Sequence, residues 1–212
     1  MTKLAILGSG RVATALAAKL TAAGHEVLIG TRDAAAAAEK WKGPAVPFEA
    51  PRDAIAATEI VVNATPGESS VERLFELRDA LSGKILIDIA NATVRGHDGM
   101  PGGLLYPLTS LGEELQKALP ETRVVKALNT MLFTVMVDPG SLASPATAFL
   151  SGDDKDAKAR VRELLGDLGW PTAQVEDLGG IPSARAIEPF ILLVPGILQR
   201  HGFAPFALSL AR

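Results

Sequence analysis

The segment Lys3-Leu4-Ala5-Ile6-Leu7-Gly8-Ser9-Gly10-Arg11-Val12-Ala13 constrains this chain more than any other: a short apolar run stops at a G-x-G-x-x-A loop and passes into an alanine-rich stretch. In a strand–loop–helix unit the first glycine allows the tight turn and the second lets a pyrophosphate approach the backbone. The third small residue lets helix and strand pack closely. Backbone N–H groups opening the next helix face the ligand, and the helix dipole adds positive potential. The motif alone is weak. Here residues 3–7 read as a strand, 11–23 as a helix closed by Gly24, and 26–30 as a second strand at about the expected distance, which is the context the motif requires. Gly8, Ser9, Gly10, Arg11 and Val12 are therefore the expected dinucleotide loop, the alternative being a glycine turn without a ligand.

An NAD site usually places Asp or Glu at the end of the second strand for the ribose 2′-OH, whereas an NADP site has donors for the 2′-phosphate there. This chain reads Gly30-Thr31-Arg32-Asp33. Thr31 offers a hydroxyl and Arg32 a planar fork of donors, which predicts a preference for NADP(H). In the alternative, Arg32 only covers the surface and Asp33 holds the ribose of NAD.

Further strands read at 46–48, 59–64, 84–89 and 123–128, alternating with helices at 33–42 (Asp33 as N-cap), 69–81 and 110–119. Apolar strands alternating with amphipathic helices predict a Rossmann-type, doubly wound α/β fold with a mostly parallel sheet covered on both faces. After Asp138-Pro139-Gly140 the pattern resumes with a strand at 147–150, a helix at 154–168 capped by Gly169, and a strand at 172–175, expected to extend the same sheet. From Gly179-Gly180 the chain is nearly uncharged and apolar, ending in a tail with Phe203 and Phe206. The expected division is an NADP-binding domain over 1–178 and a small C-terminal helical segment over 179–212 for substrate binding or dimerisation.

With 212 residues, 48% of them hydrophobic, the chain can bury one ordinary core plus an appendage, and disorder is excluded. A net charge of −3 without a basic stripe excludes a nucleic-acid partner. The absence of cysteine removes disulfides, thiolate nucleophiles, iron–sulfur clusters and thiolate zinc sites, and fits a reducing cytoplasm. The first apolar run is too short for a signal peptide. The apolar stretch 189–198 contains two prolines and is about half the roughly 20 residues of a membrane span, so no membrane partner is expected.

In an open α/β sheet ligands meet the carboxyl ends of the strands. Three such ends carry Asn63-Ala64-Thr65-Pro66, Asn91-Ala92-Thr93 and Asn129-Thr130, expected to line the nicotinamide end, with local turn chemistry as the alternative. Tyr106 has no lysine four residues on, and His25, His97 and His201 are scattered without metal-ligand spacing, so no catalytic or metal-binding residue is assigned. Hydride transfer between two cofactors needs mainly aligned ring faces and excluded water, which this residue set suits.

Taken together, Gly8-x-Gly10, Gly24-His25-Glu26-Val27, Gly30-Thr31-Arg32-Asp33, Val61 to Pro66, Leu86 to Asn91, Val125 to Thr130 and Gly179 to Glu188 resemble the F420-dependent NADP reductase family almost end to end. The resemblance implies hydride exchange between NADPH and the 5-deazaflavin coenzyme F420, or a flavin-like acceptor, commonly in a homodimer. It implies that Thr31 and Arg32 hold the 2′-phosphate and that Thr65, Pro66 and Asn91 flank the nicotinamide. Asn129, Thr130 and the turn of Ser183 and Arg185 would face the second cofactor.

The chain departs from that pattern in two places. Ala34–Ala38 stands where family members often carry a basic residue, which removes one phosphate contact and predicts weaker NADPH binding. Asn129-Thr130 stands where deazaflavin reductases often have His-Thr. Arg185 and Glu188, three apart, are spaced to pair with each other, the other reading giving Arg185 a polar cofactor tail. The apolar run 187–198 is either core or a dimer contact. Two other readings stand beside the reductase: an imine or pyrroline reductase, for which about 35 residues after the boundary are few against domains of about 50 or more, and a non-catalytic NADP(H) sensor.

Overall fold

The computed structural model describes residues 1–97 and 99–211, so Asp98 and Arg212, the last residue of the expected C-terminal segment, lie outside the described residues. The chain runs β1 (Lys3–Leu7), α1 (Arg11–Ala22), β2 (Glu26–Gly30), α2 (Ala34–Lys40), β3 (Phe48–Glu49), α3 (Pro51–Ala56), β4 (Ile60–Asn63), α4 (Ser70–Phe75), α5 (Arg78–Leu81) and β5 (Ile85–Asp88). There follow a hairpin, β6 (Thr93–Arg95) and β7 (Pro101–Leu104), then α6 (Leu111–Ala118), β8 (Arg123–Lys126), α7 (Phe133–Val137), β9 (Ala148–Leu150), α8 (Lys155–Asp167) and β10 (Val175–Asp177). The C-terminal part carries α9 (Ala184–Ile187) and α10 (Val194–His201).

Every residue of β4 and β5, and all but the first of β1 and β2, is buried, as expected for parallel strands covered on both faces. Among the described residues six strands form one parallel sheet in the order β3-β2-β1-β4-β5-β8. This is the Rossmann-type doubly wound fold the alternation predicts. Helix α1 buries Ala13, Leu16, Ala17 and Leu20, one stripe at helical spacing, on one face of the sheet. Leu111 and Leu115 of α6 pack on the other. The strand order reverses between β1 and β4, which opens a crevice beyond their carboxyl ends.

Several elements differ from the sequence expectation. The helix expected over 69–81 is a 3₁₀ turn, Gly67–Ser69, followed by α4 and α5, with Arg52 and Arg78 donating to the carbonyls of Glu76 and Phe75 at the break. The strands expected at 147–150 and 172–175 do not extend the main sheet. They form a separate parallel pair, β9 and β10, joined to β8 through an isolated antiparallel bridge between Lys126 and Ser151, and Thr172–Gln174 is a 3₁₀ turn preceding β10. The chain leaves β8 through Leu128 at φ +57° and returns antiparallel, so continued parallel pairing is topologically unavailable. The hairpin β6–β7 and helices α3 and α7 are too short to give a periodic sequence signal.

The C-terminal helical run is longer than the apolar stretch suggests. Ile181–His201 is 21 residues and contains an 18-residue window of mean hydropathy 1.4, long and apolar enough by length and composition to cross a membrane. It is also anchored to the sheet: Ile181 joins the second core cluster, and Ala184, Ile187, Glu188 and Phe190 are buried. Beyond it the tail lies along the chain that follows β8, with Leu132 N–H donating to Phe206 and Leu208 N–H to Thr130.

Candidate functional site

The glycine loop is fixed to both neighbouring strands. Gly8 N–H donates to the carbonyl of Gly30 at 2.9 Å, and Ala64 N–H donates to that of Leu7 at 3.0 Å. Gly8 has φ +108°, and a Cβ there would lie 2.8 Å from the Ala64 carbonyl oxygen, so both its conformation and its surroundings require glycine. Gly10 caps α1 with no side-chain bond to the first-turn N–H groups, leaving them open to an anion. A cleft of 420 Å³ begins here and brings together Gly8, Ser9, Gly10, Thr31, Arg32, Thr65 and Pro66. These residues come from three separate strand ends, as the sequence predicts.

Arg73 and Leu77 also line this cleft, and sequence reasoning missed them. Arg73 is held by a 2.7 Å bond to Ser69 Oγ. Neither belongs to a motif; Arg73 is on α4 and Leu77 precedes α5, and only the fold brings them to the loop. Arg11 and Val12 lie outside the cleft. Val12 packs on the core, while the Arg11 guanidinium lies 5.7 Å from the ring of Phe133 and 5.6 Å from that of Phe203, between the loop and the C-terminal tail.

Beyond the cleft the strand ends carry two hydrogen-bonded polar groups, buried or part-buried. Asn63 Nδ2 donates to Asp88 at 2.8 Å and to Ser70 at 3.0 Å, and Thr65 Oγ1 donates to Asn63 Oδ1 at 2.6 Å. Asn91 and Asn129 bind each other, Asn91 Nδ2 to the Asn129 carbonyl at 2.9 Å and Asn129 Nδ2 to Asn91 Oδ1 at 3.1 Å. Gly67 lies so close beneath that a Cβ would come within 2.2 Å of the Asn91 carbonyl oxygen. Asn129 Oδ1 is buried with no partner among the described residues. Leu128 just before it holds a left-handed backbone, a conformation costing about 1 kcal/mol or more for a non-glycine residue.

Below this layer is a group that the motifs do not reveal. Lys126, with no exposed surface, is 2.8 Å from Asp88 and 2.9 Å from Glu188, and also donates to the Ala90 carbonyl. Burial alone would lower its pKa, but the two carboxylates outweigh burial and hold it above the ordinary value, so the ammonium stays charged.

Three other residues expected to face a second cofactor make bonds within the chain. Thr130 is buried and its carbonyl accepts from Leu208 N–H. Ser183 Oγ is within bonding distance of Ser151 Oγ and the Gly180 carbonyl. Arg185 does not pair with Glu188, as their spacing suggests; it binds Glu113, with Nε at 2.6 Å. Glu188 instead turns inward to Lys126 and accepts from the N–H groups of Leu111 and Gly112 at 2.7 and 3.0 Å. Glu188 opens a 3₁₀ stretch, Glu188–Leu193, and is itself buried, whereas Arg185 is exposed.

Comparison with known proteins agrees with this geometry. Residues 3–92 match the model of the family described as NADP oxidoreductase, coenzyme F420-dependent. A solved structure of a candidate F420-dependent NADP reductase from Arthrobacter sp. FB24 superposes with a TM-score of 0.91 and 42% identity, covering 100% of both chains. The F420-dependent NADP reductase of Methanothermobacter marburgensis is 29% identical, over 88% of each chain. The metalloreductase STEAP3 of Rattus norvegicus is 31% identical over 96% of this chain, which spans only 40% of that protein's length. With this sheet order, this loop and full-length similarity at 42% identity, the chain belongs to the F420-dependent NADP reductase family, a family of NADP-dependent oxidoreductases.

Proposed function

We propose that this chain binds NADP(H) in the crevice between β1 and β4 and exchanges hydride between it and a deazaflavin such as F420, or a flavin-like ring. The observation that carries the reading is the single cleft in which the glycine loop, Thr31, Arg32, Thr65 and Pro66 meet. The open N–H groups at the start of α1 suit the pyrophosphate, and Arg32 with Thr31 suits the 2′-phosphate. Bound NADPH supplies the hydride. The protein's own part is to bind, orient and shield the rings, while the proton that completes reduction of the acceptor ring at N1 comes from solvent.

Thr65 and Pro66 position the ring on one side, held by the Asn63 network, while the Asn91–Asn129 pair borders the other. Asn129 Oδ1, buried and without a partner among the described residues, is an unused acceptor within that pair. The segment 179–212 would close the acceptor side and supply a homodimer contact; Leu192, Leu193 and Phe203 are exposed on it. The lack of cysteine suits a reducing cytoplasm.

The test is the rate at which purified protein oxidises NADPH, and separately NADH, with F420, FMN, FAD and ferric chelates as parallel acceptors. Saturable, NADPH-preferring reduction of F420 is the expected result. Turnover with ferric chelates or free flavin alone would move the assignment to another acceptor. Tight NADPH binding with no turnover would favour the sensor reading.

A further inference from the structure

Next to the dinucleotide cleft, and sharing Ser9, Thr31 and Arg32 with it, lies a second cleft of 430 Å³ whose other wall is one face of α2. Asp33, Ala36, Ala37 and Lys40 form that wall, at the spacing of residues that share a helix face. Asp33 Oδ1 is occupied in capping the helix, accepting from Ala36 N–H at 2.9 Å. The two alanines put only methyl groups into the space, so the cleft stays open from Arg32 to Lys40. Arg32 and Lys40 are both exposed, and neither has a carboxylate within ion-pair distance among the described residues.

Charge decides what such a cleft can hold. With Arg32 as its only cation, the Asp33 carboxylate would leave it neutral, a poor site for a phosphate monoester carrying close to two negative charges. Lys40 makes it net positive. The placement also corrects the expectation that Ala34–Ala38 simply removes a phosphate contact, because a cation stands on the same helix face beyond the alanines.

We infer that Lys40 is a specificity-determining residue: together with Arg32 it brackets the 2′-phosphate of the dinucleotide and offsets the repulsion from Asp33. This rests on the NADP(H) reading above. The glycine loop brings the ribose to Thr31 and Arg32, and a phosphate on its 2′ position points into the shared cleft, toward α2. The ammonium acts there as a mobile point charge, with Arg32 supplying the directional contacts.

The test is equilibrium binding of 2′,5′-ADP and of 5′-AMP, two fragments that differ only in the 2′-phosphate, to the wild type, Lys40→Met and Lys42→Met at low and physiological salt. Lys42 is a control cation on the neighbouring surface that does not line this cleft. Lys40→Met is expected to weaken 2′,5′-ADP by about three- to tenfold, a range appropriate to a solvent-exposed charge pair, and to leave 5′-AMP unchanged. Its 2′,5′-ADP affinity should also depend less on salt, and Lys42→Met should behave as wild type. Unchanged 2′,5′-ADP binding in Lys40→Met, or equal weakening of both fragments, overturns the role of Lys40 while leaving the NADP(H) reading standing. A wild type that binds the two fragments equally overturns both.

Discussion

Glu188, on the C-terminal helical run, meets the fully buried Lys126 ammonium of β8 at 2.9 Å, and its carboxylate also accepts from two backbone N–H groups opening α6. One side chain thus joins the C-terminal segment, the sheet edge and a helix terminus.

Removing the cation leaves Asp88 and Glu188 facing each other without water. Lys126→Met is expected to destabilise the protein by about 3–5 kcal/mol, the scale for breaking a buried pair by deleting one partner, whereas Glu188→Gln keeps a hydrogen-bonding group and should cost less. Urea unfolding followed by circular dichroism measures both; equal, small losses would mean that the network is dispensable. Because the Lys126 pKa is raised in the folded state, its stabilisation is complete below its ordinary 10.5 and is lost only as pH rises through the higher folded value.

Gly67 carries the loop of Thr65 and Pro66 against the Asn91 carbonyl. Gly67→Ala must separate the two, at a cost of about 1–3 kcal/mol in local packing. Turnover with the best acceptor should fall by at least about tenfold, while 2′,5′-ADP, which has no nicotinamide, binds as before. Equal loss of fragment binding would show the effect to be general unfolding.

Arg32→Ala should abolish most of the preference for NADPH over NADH, since Arg32 lines both clefts at the place proposed for the 2′-phosphate. The preference is read as the ratio of kcat/KM for the two nucleotides. An unchanged ratio would transfer the discrimination to other residues.

Two ion pairs hold the start of the C-terminal segment. The Arg185 hydrogen bond keeps the Glu113 carboxyl below its ordinary 4.5. For Asp177, burial pushes upward, but the bonds from Lys158 and the Gly179 N–H outweigh it and hold the carboxyl below its ordinary 3.8. Depressed carboxylates contribute stability above their unfolded values and lose it as pH falls through the folded ones. Hydrogen exchange corrected for intrinsic rates should therefore rise in residues 178–201 below about pH 4 before it rises in the parallel sheet. A simultaneous rise would show that the segment and the sheet open as one unit.

The sequence by itself determined the layer order and the dinucleotide loop, because both are written in local signals. Leu4 to Leu7 ends at Gly8, the stripe Ala13, Leu16, Ala17 and Leu20 repeats at helical spacing, and Thr31-Arg32 follows directly on β2. Tertiary structure decided what depends on contacts between distant segments. Lys126 could not be recognised as a buried cation until Asp88 and Glu188 were brought to it. The partners of Arg185 and Glu188 are set by the distant segments each meets, Glu113 for one and Lys126 for the other, rather than by their spacing. Asn91 and Asn129 become a pair, with one acceptor left open, only because β5 and β8 are neighbours in the sheet. Lys40 joins Arg32 because α2 lays its alanine face along the cleft. A charge or an amide carries no periodicity of its own, and burial and partners, which fix its role, are properties of the folded chain.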